Sequence, residues 1–385
     1  MRMQAKVTQM GMDCHKNFSR VSARDAAGKI AWRQRVEHAD RSSLREQLQR
    51  WPAGVPVVLE GTFGWGWISD ELKAAGLDPH LASSRKVAGW REARGLAKNN
   101  KIDADLLSEL WTQPSRWWEV WLAPQEVREQ REWLRYRMAL VRMQSGIKNR
   151  IHATLHRHGI LHDYSDAFGI AGLKFLQDLM QTETLASSTR STLKGYLELL
   201  KQVRQQIAAA TREFHAQVQC SGPAQLWRSV PGISWVLAYT ILAEVGEVSR
   251  FKDGRHLCSY SLLVPRCDQS GDEEDAPAVG QHVGHMGRHT LKWAFIAAAR
   301  GAVRKSAYFR AVFNRRTDNG TRNKGRGYIA VARELCRVGY SCVSKGRSYS
   351  EAPPPRPWMS SGSNNQDLLV RECVGPDCPL AAVRA

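Results

Sequence analysis

The stretch VPVVLEG, residues 55–61, decides the fold of the N-terminal part of the chain. An unbroken apolar run of this kind is typical of a strand that is buried on both faces of a sheet. The segment before it, SSLREQLQRW at 42–51, has the apolar spacing of an amphipathic helix. The run therefore predicts the central strand of a sheet, with Glu60 directly at the end of that strand.

Strand and helix signals alternate on both sides of this strand. VTQMGMD at 7–13 predicts a buried strand, and DAAG at 25–28 is turn chemistry that joins two further strands in a hairpin. The downstream segments predict a helix, a short strand and a second helix; they are WISDELKAAG (67–76), DPHLAS (78–83) and IDADLLSELW (102–111). The order of three strands, helix, strand, helix, strand, helix predicts an α/β domain with a mixed sheet.

The middle of the chain, from Pro124 to about Gln219, predicts two long helices. Each carries an apolar stripe with spacings of three and four. The stripes comprise Trp133, Tyr136, Leu140, Met143, Ile147 and Ile151 in the first helix, and Leu193, Tyr196, Leu200, Val203, Ile207, Ala210 and Phe214 in the second. They favour packing of the two helices in a core, and a coiled coil with a second subunit is the alternative.

The polar face of the first long helix is rich in arginine. It carries Arg128, Arg131, Arg135, Arg142 and Arg150. Such a face fits a solvated surface or a track for nucleic acid equally well.

These patterns predict four parts of the chain. They are an α/β domain at 1–118, a helical coiled-coil region at 119–221, a mainly α-helical domain at 222–349 and a disordered tail at 350–385. The tail contains EAPPPRPWMSSGSNN at 351–365, whose Pro, Ser, Gly and Asn content does not support a core.

The charge of the chain indicates a polyanionic partner. The formal net charge is +19 and the isoelectric point is about 9.9, although 43% of the residues are apolar as in ordinary globular proteins. Neutralisation of phosphates is the usual reason for such an excess, and a merely soluble basic surface is the alternative. No apolar run is long enough to cross a membrane, and the N-terminus lacks the features of a signal peptide. The eight scattered cysteines form no CxxC pair, so we expect reduced thiols, no zinc site and a cytoplasmic location.

Three carboxylates are candidates for a metal centre. Asp13 ends the first predicted strand, Glu60 ends the fourth, and Asp103 begins the helix after the fifth. If the first and fourth strands are neighbours, Asp13 and Glu60 converge, and a helix across that edge supplies Asp103. Convergent carboxylates bind Mg²⁺ or Mn²⁺ for phosphoryl transfer. Each residue taken alone is also explained as a turn or cap residue, although Glu60 beside a buried strand needs a partner.

A turn in the C-terminal part has the form of a helix-hairpin-helix. SVPGISWVLAYTILAEVG at 229–246 places Pro231 and Gly232 before an apolar helix. Gly232 allows a tight turn, and the amide groups of Gly232, Ile233 and Ser234 are then candidates for holding a DNA phosphate. An ordinary corner between two helices is the alternative.

In its N-terminal part, the order of GMD (11–13), VVLEGT (57–62) and KNNKIDADLLSEL (98–110) resembles the RuvC-like, ribonuclease-H-like domain of the DEDD insertion-sequence transposases. This is the IS-one-ten family of bridge-RNA-guided recombinases. The family pattern has two Asp residues one helical turn apart, and here Asp103 matches the second while Asn100 stands at the first. Asp105 is not a substitute, because two residues along a helix it points to nearly the opposite side. The resemblance implies a site with Asn100 as a weak, uncharged fourth ligand.

The C-terminal motifs resemble the second domain of the same family. EVGEVSRF, LCSYSLLVP, QSG and GRHTLK follow the PGI turn in the family's order. The resemblance implies that Ser270, in QSG, is a nucleophile that forms a transient phosphoserine link to DNA. The acidic stretch at 271–275 departs from the family, and Arg288, His289 and Lys292 are the candidates to compensate it beside DNA.

The sequence thus predicts a DNA transposase that uses Mg²⁺ or Mn²⁺ and Ser270. The family implies donor and target DNA, a guide RNA and a homo-oligomer, a dimer or tetramer. Two alternatives remain: a metal-dependent, structure-selective nuclease, and a nucleic-acid-binding derivative whose site is disabled at Asn100.

Overall fold

The computed structural model describes residues 7–264 and 288–350. The chain divides into two compact units, Met1–Arg128 and Glu129–Ala385. The predicted division into three domains and a tail stays a prediction. Ser270, the acidic stretch that follows it and the tail from residue 351 lie outside the described residues.

The first unit is built on a six-stranded mixed sheet with the strand order β3-β2-β1-β4-β5-β6. Strand β1 pairs in parallel with β4, and β4 with β5, whereas the other neighbours are antiparallel. The strands are β1 (Val7–Cys14), β2 (Phe18–Asp25), β3 (Ile30–Glu37), β4 (Pro56–Glu60), β5 (Asp78–Ala82) and β6 (Glu119–Val120). The helices are α1 (Arg41–Leu48), α2 (Trp65–Ala74), α3 (Ser84–Ala93) and α4 (Asn100–Leu110). This topology confirms the predicted mixed α/β fold and is compatible with a RuvC-like domain.

Two of these elements were not predicted from the sequence. Helix α3, SRKVAGWREA, buries only Val87 and therefore lacks an apolar stripe. Strand β6 has two residues. The other elements follow the predicted order, including the hairpin of β2 and β3.

The sheet of the first unit is covered on both faces. On one face Met12 and Leu59 pack with α1 and α2 through Leu44 and Leu72. The other face belongs to a second cluster, in which α4 covers the sheet; its members are Val58, Ala82, Val87, Leu106, Leu107, Leu110 and Trp118. The alternation along β4 therefore places Val58 towards α4 and its neighbours away from it.

The second unit is helical in its described part. Its helices are α5 (Gln125–Arg157, which begins in the first unit), α6 (Ile170–Leu179), α7 (Ser187–Cys220), α8 (Gly222–Ser229), α9 (Trp235–Val245), α10 (Gly254–Tyr260), α11 (His289–Lys305), α12 (Ala307–Thr317) and α13 (Lys324–Ser344). Helices α8 to α13 enclose an apolar core that includes Trp227 and Phe295. None of the helices in residues 7–264 and 288–350 combines the length and apolar character of a membrane span.

The long helices α5 and α7 contact each other as expected for core packing. Ile151 of α5 shares an apolar cluster with Leu193 and Leu200 of α7. Every member of the apolar stripe predicted for α7 is buried or half-buried. The stripe predicted for α5 is wrong at Trp133, Tyr136 and Met143, which are exposed, because the buried face of α5 uses Leu134 instead.

Candidate functional site

The strand register brings Asp13 and Glu60 to one end and one face of the sheet. Met12 lies opposite Leu59 in the parallel pair β1–β4, so Asp13 and Glu60 are the next positions along their strands. Asp13 has the same parity as Gly11, and Glu60 the same parity as Val58. Both side chains therefore leave the sheet on the face that α4 covers.

Close packing of α4 on β1 brings Asp103 to the same place. A Cβ atom at Gly11 would lie 2.1 Å from the Ser108 backbone nitrogen and 2.3 Å from the Ala104 carbonyl oxygen, so only glycine fits there. Two strand side chains also bind α4: Gln9 donates to the Ser108 carbonyl at 2.8 Å, and Arg24 donates to the Ser108 hydroxyl at 2.8 Å. Asp103 lies in the first turn of α4 and is buried, with 6% of its surface exposed.

The carboxylates repel one another. Burial raises the pKa of Asp13, and the charges of Asp103 and Glu60 raise it further, whereas His15 acts in the opposite direction. His15 Nε2 lies 3.0 Å from an oxygen of Asp13. Negative charge concentrated at one buried point is the condition that favours a cation.

Arg91 of α3 is the cation that neutralises Asp103 in this structure. Its Nη1 atom donates to Asp103 Oδ1 at 3.0 Å, and the two side chains are 14% and 9% exposed. Arg91 was not predicted from the sequence, because α3 itself was not predicted. A basic residue in a segment with no apolar stripe gives no sequence signal for such a contact.

The donor set fits a hard divalent cation in its chemistry, but in the described part of the chain the side chains are not arranged around one. Asp13 and Asp103 offer carboxylate oxygens beside Glu60, which is half-buried. Within the described ranges, no three His, Cys, Asp or Glu side chains form a group that could hold a metal ion as they stand. His15 and Arg91 occupy oxygens of two of the three carboxylates.

Asn100 and Asp105 face a groove between the start of α4 and the strands β2 and β3. Asn100 is exposed in the first turn of α4 and lines this groove. Asp105 accepts two hydrogen bonds from Arg33, at 2.9 and 2.8 Å, and one from the Ser22 hydroxyl at 2.7 Å. Asp105 thus ties α4 to the strands, apart from Asp103.

The turn at Pro231 and Gly232 packs against α11. Gly232 has φ +86°, and a Cβ atom there would lie 2.2 Å from the Ala298 carbonyl oxygen. Ile233 is buried, and the exposed Ser234 caps the N-terminus of α9, where its hydroxyl accepts a hydrogen bond from the Leu237 amide at 3.4 Å. Glycine at this turn therefore has a packing role in the described structure, beside the predicted contact with DNA.

Arg288 lies in a cluster of charged groups at the C-terminal end of α9. It donates to the Tyr260 hydroxyl at 3.1 Å and lies 3.5 Å from the buried Glu244 carboxylate. Arg131 of α5 donates to the Ala243 and Glu244 carbonyls at the same helix end, at 2.9 and 3.1 Å. Burial and the neighbouring Arg288 charge lower the pKa of Arg131 to about 10. Lys292, the other predicted DNA contact, is half-buried on α11.

The arginine face predicted on α5 divides into two kinds of residue. Arg128 is paired with Asp70, with both carboxylate oxygens at 2.7 Å, and Arg131 is buried. Arg135, Arg142 and Arg150 are exposed. Two of the five therefore have structural partners, and only the exposed three remain candidates for a track that binds nucleic acid.

Comparison with known proteins defines the class of this chain. A DEDD family model described as "Transposase" matches residues 10–160, and the model described as "Transposase IS116/IS110/IS902 family" matches residues 224–314. The first match covers β1, β4 and α4 with the three carboxylates, and the second covers α8 to α11. Both identify the chain as a transposase, an enzyme class that cuts and rejoins DNA.

Similar proteins agree over nearly the whole chain. The transposase for insertion sequence element IS1111A of Coxiella burnetii is 23% identical over 354 residues, which are 88% of this chain and 90% of that protein. A probable family 20 transposase of Pseudomonas aeruginosa is 22% identical over 89% of this chain and 98% of its own length. The pilin gene-inverting protein of Moraxella bovis is 27% identical over 129 residues, 33% of this chain and 39% of that protein. The two family models and these relatives together support an IS110-family insertion-sequence transposase, which is the family expected from the motifs of the chain.

Proposed function

We propose that this transposase cuts DNA at the carboxylate centre of its first unit, with Asp13, Glu60 and Asp103 as the ligands of a divalent metal ion. The observation that supports this most is the meeting of Asp13, Glu60 and the first turn of α4 at one end and one face of the sheet. Asn100 is a weak fourth ligand through its amide oxygen. Its lack of charge lowers the affinity for the metal.

The metal is Mg²⁺ or Mn²⁺, and when bound it supplies Lewis-acid stabilisation of the charge that develops on the phosphate oxygens. The chain's own residues set the conditions for binding. To bind the metal ion, Asp103 would give up its hydrogen bond from Arg91 and Asp13 its contact with His15, which would free both carboxylates to act with Glu60 as ligands. Burial of Asp13 and Asp103 excludes water that would otherwise weaken these contacts.

The proposed nucleophile is Ser270, by the resemblance of its QSG motif to the family pattern. Its Oγ attacks the phosphorus of a DNA phosphodiester, and the bond from phosphorus to the leaving deoxyribose oxygen breaks. The serine proton leaves with the base that accepts it, and the leaving oxygen takes up a proton. Attack by a hydroxyl of a second strand reverses these changes and releases the serine, so no oxidant or external energy source is needed.

The second unit is proposed to position the nucleic acid. The α8–turn–α9 segment acts as a helix-hairpin-helix through the backbone around Gly232, Ile233 and Ser234, together with Arg288 and Lys292. The partners are donor and target DNA and a guide RNA, and the working form is a dimer or tetramer. Helices α5 and α7 are the helical coiled-coil region predicted from the sequence. The protein acts on the nucleoid in the cytoplasm.

The test is a strand-transfer assay with the flanking DNA of the element, in Mg²⁺, in Mn²⁺ and in EDTA. We expect metal-dependent products and a covalent protein–DNA adduct that is lost in Ser270→Ala. Asp13→Asn should abolish both, and Lys73→Gln on the exposed side of α2 is the matched control. Cleavage without any adduct would favour the nuclease.

The DNA-binding derivative is a second candidate because of Asn100 and of the Arg91 contact with Asp103. A gain of activity in Asn100→Asp, from a natural protein that shows none, would support it. Equal activity of the natural protein and the Asn100→Asp variant would refute the hypothesis of an inactive DNA-binding derivative.

A further inference from the structure

A basic groove of about 770 Å³ lies beside the carboxylate centre. We name it the α4 groove. It is lined by the start of α4 and by β2 and β3, with Arg20, Arg33, Lys98, Asn100, Lys101 and Asp105 among its residues. We propose that the α4 groove binds the sugar-phosphate backbone of the DNA strand that enters the carboxylate centre. This inference rests on the proposed function.

The charge of the groove fits phosphate. Asp105, the carboxylate among the described lining residues, is neutralised by Arg33, whose two nitrogens lie 2.9 and 2.8 Å from its oxygens. Arg20, Lys98 and Lys101 are exposed and leave the groove with an excess of positive charge. Lysine and arginine in a groove track a nucleic-acid backbone.

The N-terminus of α4 adds to this field. Asn99 caps the helix by accepting from the Lys101 amide at 2.9 Å, and Asn100 follows in the first turn. The positive end of an 11-residue helix thus opens into the groove between two lysines.

The position of Arg20 connects the groove to the carboxylates. Arg20 lies directly opposite Asp13 in the antiparallel pair β1–β2, and opposite residues of such a pair share a face of the sheet. A strand that contacts Arg20 therefore passes next to Asp13. The groove would hold the phosphates that neighbour the one to be cut.

The residues that line the α4 groove also indicate that it does not recognise the base sequence of the DNA. None of the described residues that line it is aromatic, so it offers no ring on which a base could stack. Contacts to phosphates alone are independent of sequence, and they set register without selecting a target.

The experiment is lysine footprinting of the full chain in EDTA, with a single-stranded DNA oligonucleotide. Acetylation rates of Lys98 and Lys101 are followed by mass spectrometry, with the exposed Lys29 and Lys73 as internal controls. We expect the oligonucleotide to slow acetylation of Lys98 and Lys101 several-fold and to leave the controls unchanged. Equal protection of all four lysines, or none, would overturn the inference. So would stronger protection by an RNA oligonucleotide of the same sequence.

A pair of variants gives a second measurement. The Lys98→Gln/Lys101→Gln protein should bind the oligonucleotide more weakly, and the slope of log affinity against log salt should fall by about 0.7 for each phosphate that the protein no longer neutralises. Lys29→Gln/Lys73→Gln removes the same charge elsewhere and should keep the slope; equal slopes in both would contradict the groove. Because these measurements contain no metal, they stand apart from cleavage. If the oligonucleotide protects Lys98 and Lys101 but the strand-transfer assay shows no cleavage, the proposed metal site is refuted and the inference about the α4 groove stands.

Discussion

The contacts at Gly11 and Gly232 are alike in geometry and different in charge. At each, a missing side chain lets a helix rest on the backbone of another segment, with a virtual Cβ atom 2.1 or 2.2 Å from a backbone atom. Around Gly232 the packed partners are Ala298 and Ala302, which are apolar and buried. Around Gly11 the same kind of contact brings together carboxylates that repel one another.

The difference separates packing from function. A contact made only for stability has no reason to gather like charges, which lower stability in the folded state. At the carboxylate end of the first unit we therefore expect variants to change both the stability of the protein and its affinity for the metal ion. The Gly232 turn is where we expect stability alone to change.

The largest expected effect is that of alanine at either glycine. Gly11→Ala and Gly232→Ala should each lower the free energy of unfolding by at least about 3 kcal/mol, because a backbone segment must move to admit the methyl group. Chemical denaturation measures this loss. Folded Gly232→Ala should keep the Mn²⁺ affinity of the natural protein, whereas Gly11→Ala should lose it. Loss of metal binding in both would break the comparison.

A smaller effect is expected at Arg91. Arg91→Met removes the partner of the buried Asp103 and should lower the stability of the metal-free protein by about 2 kcal/mol. The same change should raise Mn²⁺ affinity about tenfold, which corresponds to about 1.4 kcal/mol, since the metal no longer competes with the guanidinium. Thermal unfolding and metal titration test the two effects. Arg94→Met, on the exposed side of the same helix end, is the control, and unchanged affinity in Arg91→Met would refute the competition.

The cap of α9 should contribute about 1 kcal/mol. Ser234→Ala removes the hydroxyl that accepts from the Leu237 amide, and removal of such a cap costs about this much. Ser234→Thr retains an acceptor and should recover most of the stability. Denaturant midpoints of the three proteins provide the measurement, and a destabilisation well above about 2 kcal/mol, the upper end for a cap, would indicate a larger role for the hydroxyl.

The smallest expected effect is the pH dependence of Asp13. Its pKa is raised in the folded state by burial and by Asp103 and Glu60, against the influence of His15. A raised carboxyl pKa contributes stability below the unfolded pKa, and that contribution is lost as the pH rises through the folded pKa. Asp13→Asn should therefore stabilise the metal-free protein at pH 7, and the gain should shrink as the pH falls towards the ordinary aspartate pKa of 3.8. A gain that is constant with pH would exclude this cause.

The sequence was sufficient for those parts of the fold that follow from hydrophobic pattern. VPVVL predicted the central strand, and the DAAG turn predicted the hairpin of β2 and β3. The meeting of Asp13 and Glu60 required only that β1 and β4 be neighbours, and they are. These features depend on local pattern and on strand order.

Other features depend on tertiary contacts that leave no local pattern. Helix α3 has one buried apolar residue, so neither the helix nor the Arg91–Asp103 pair could be predicted from periodicity. Arg131 has the sequence context of a surface residue of α5, but it is buried because the end of α9 offers carbonyl acceptors. Trp133 and Tyr136 fit the apolar spacing of α5 and yet are exposed, since spacing alone does not fix which face of a long helix meets its neighbour.

The in-phase pairing of β1 with β4 has a consequence for insertions and deletions. Side chains alternate between the two faces of a strand, so a shift of one residue in β4 would turn Glu60 away from α4 and expose the apolar partners of the opposite face. A shift of two residues would restore the face but move the carboxylate along the strand by about 6.6 Å, twice the rise per residue. We therefore expect that neither the insertion nor the deletion of one or two residues within β4 is tolerated. The loops on either side of β4 are where the chain can change length without loss of the centre.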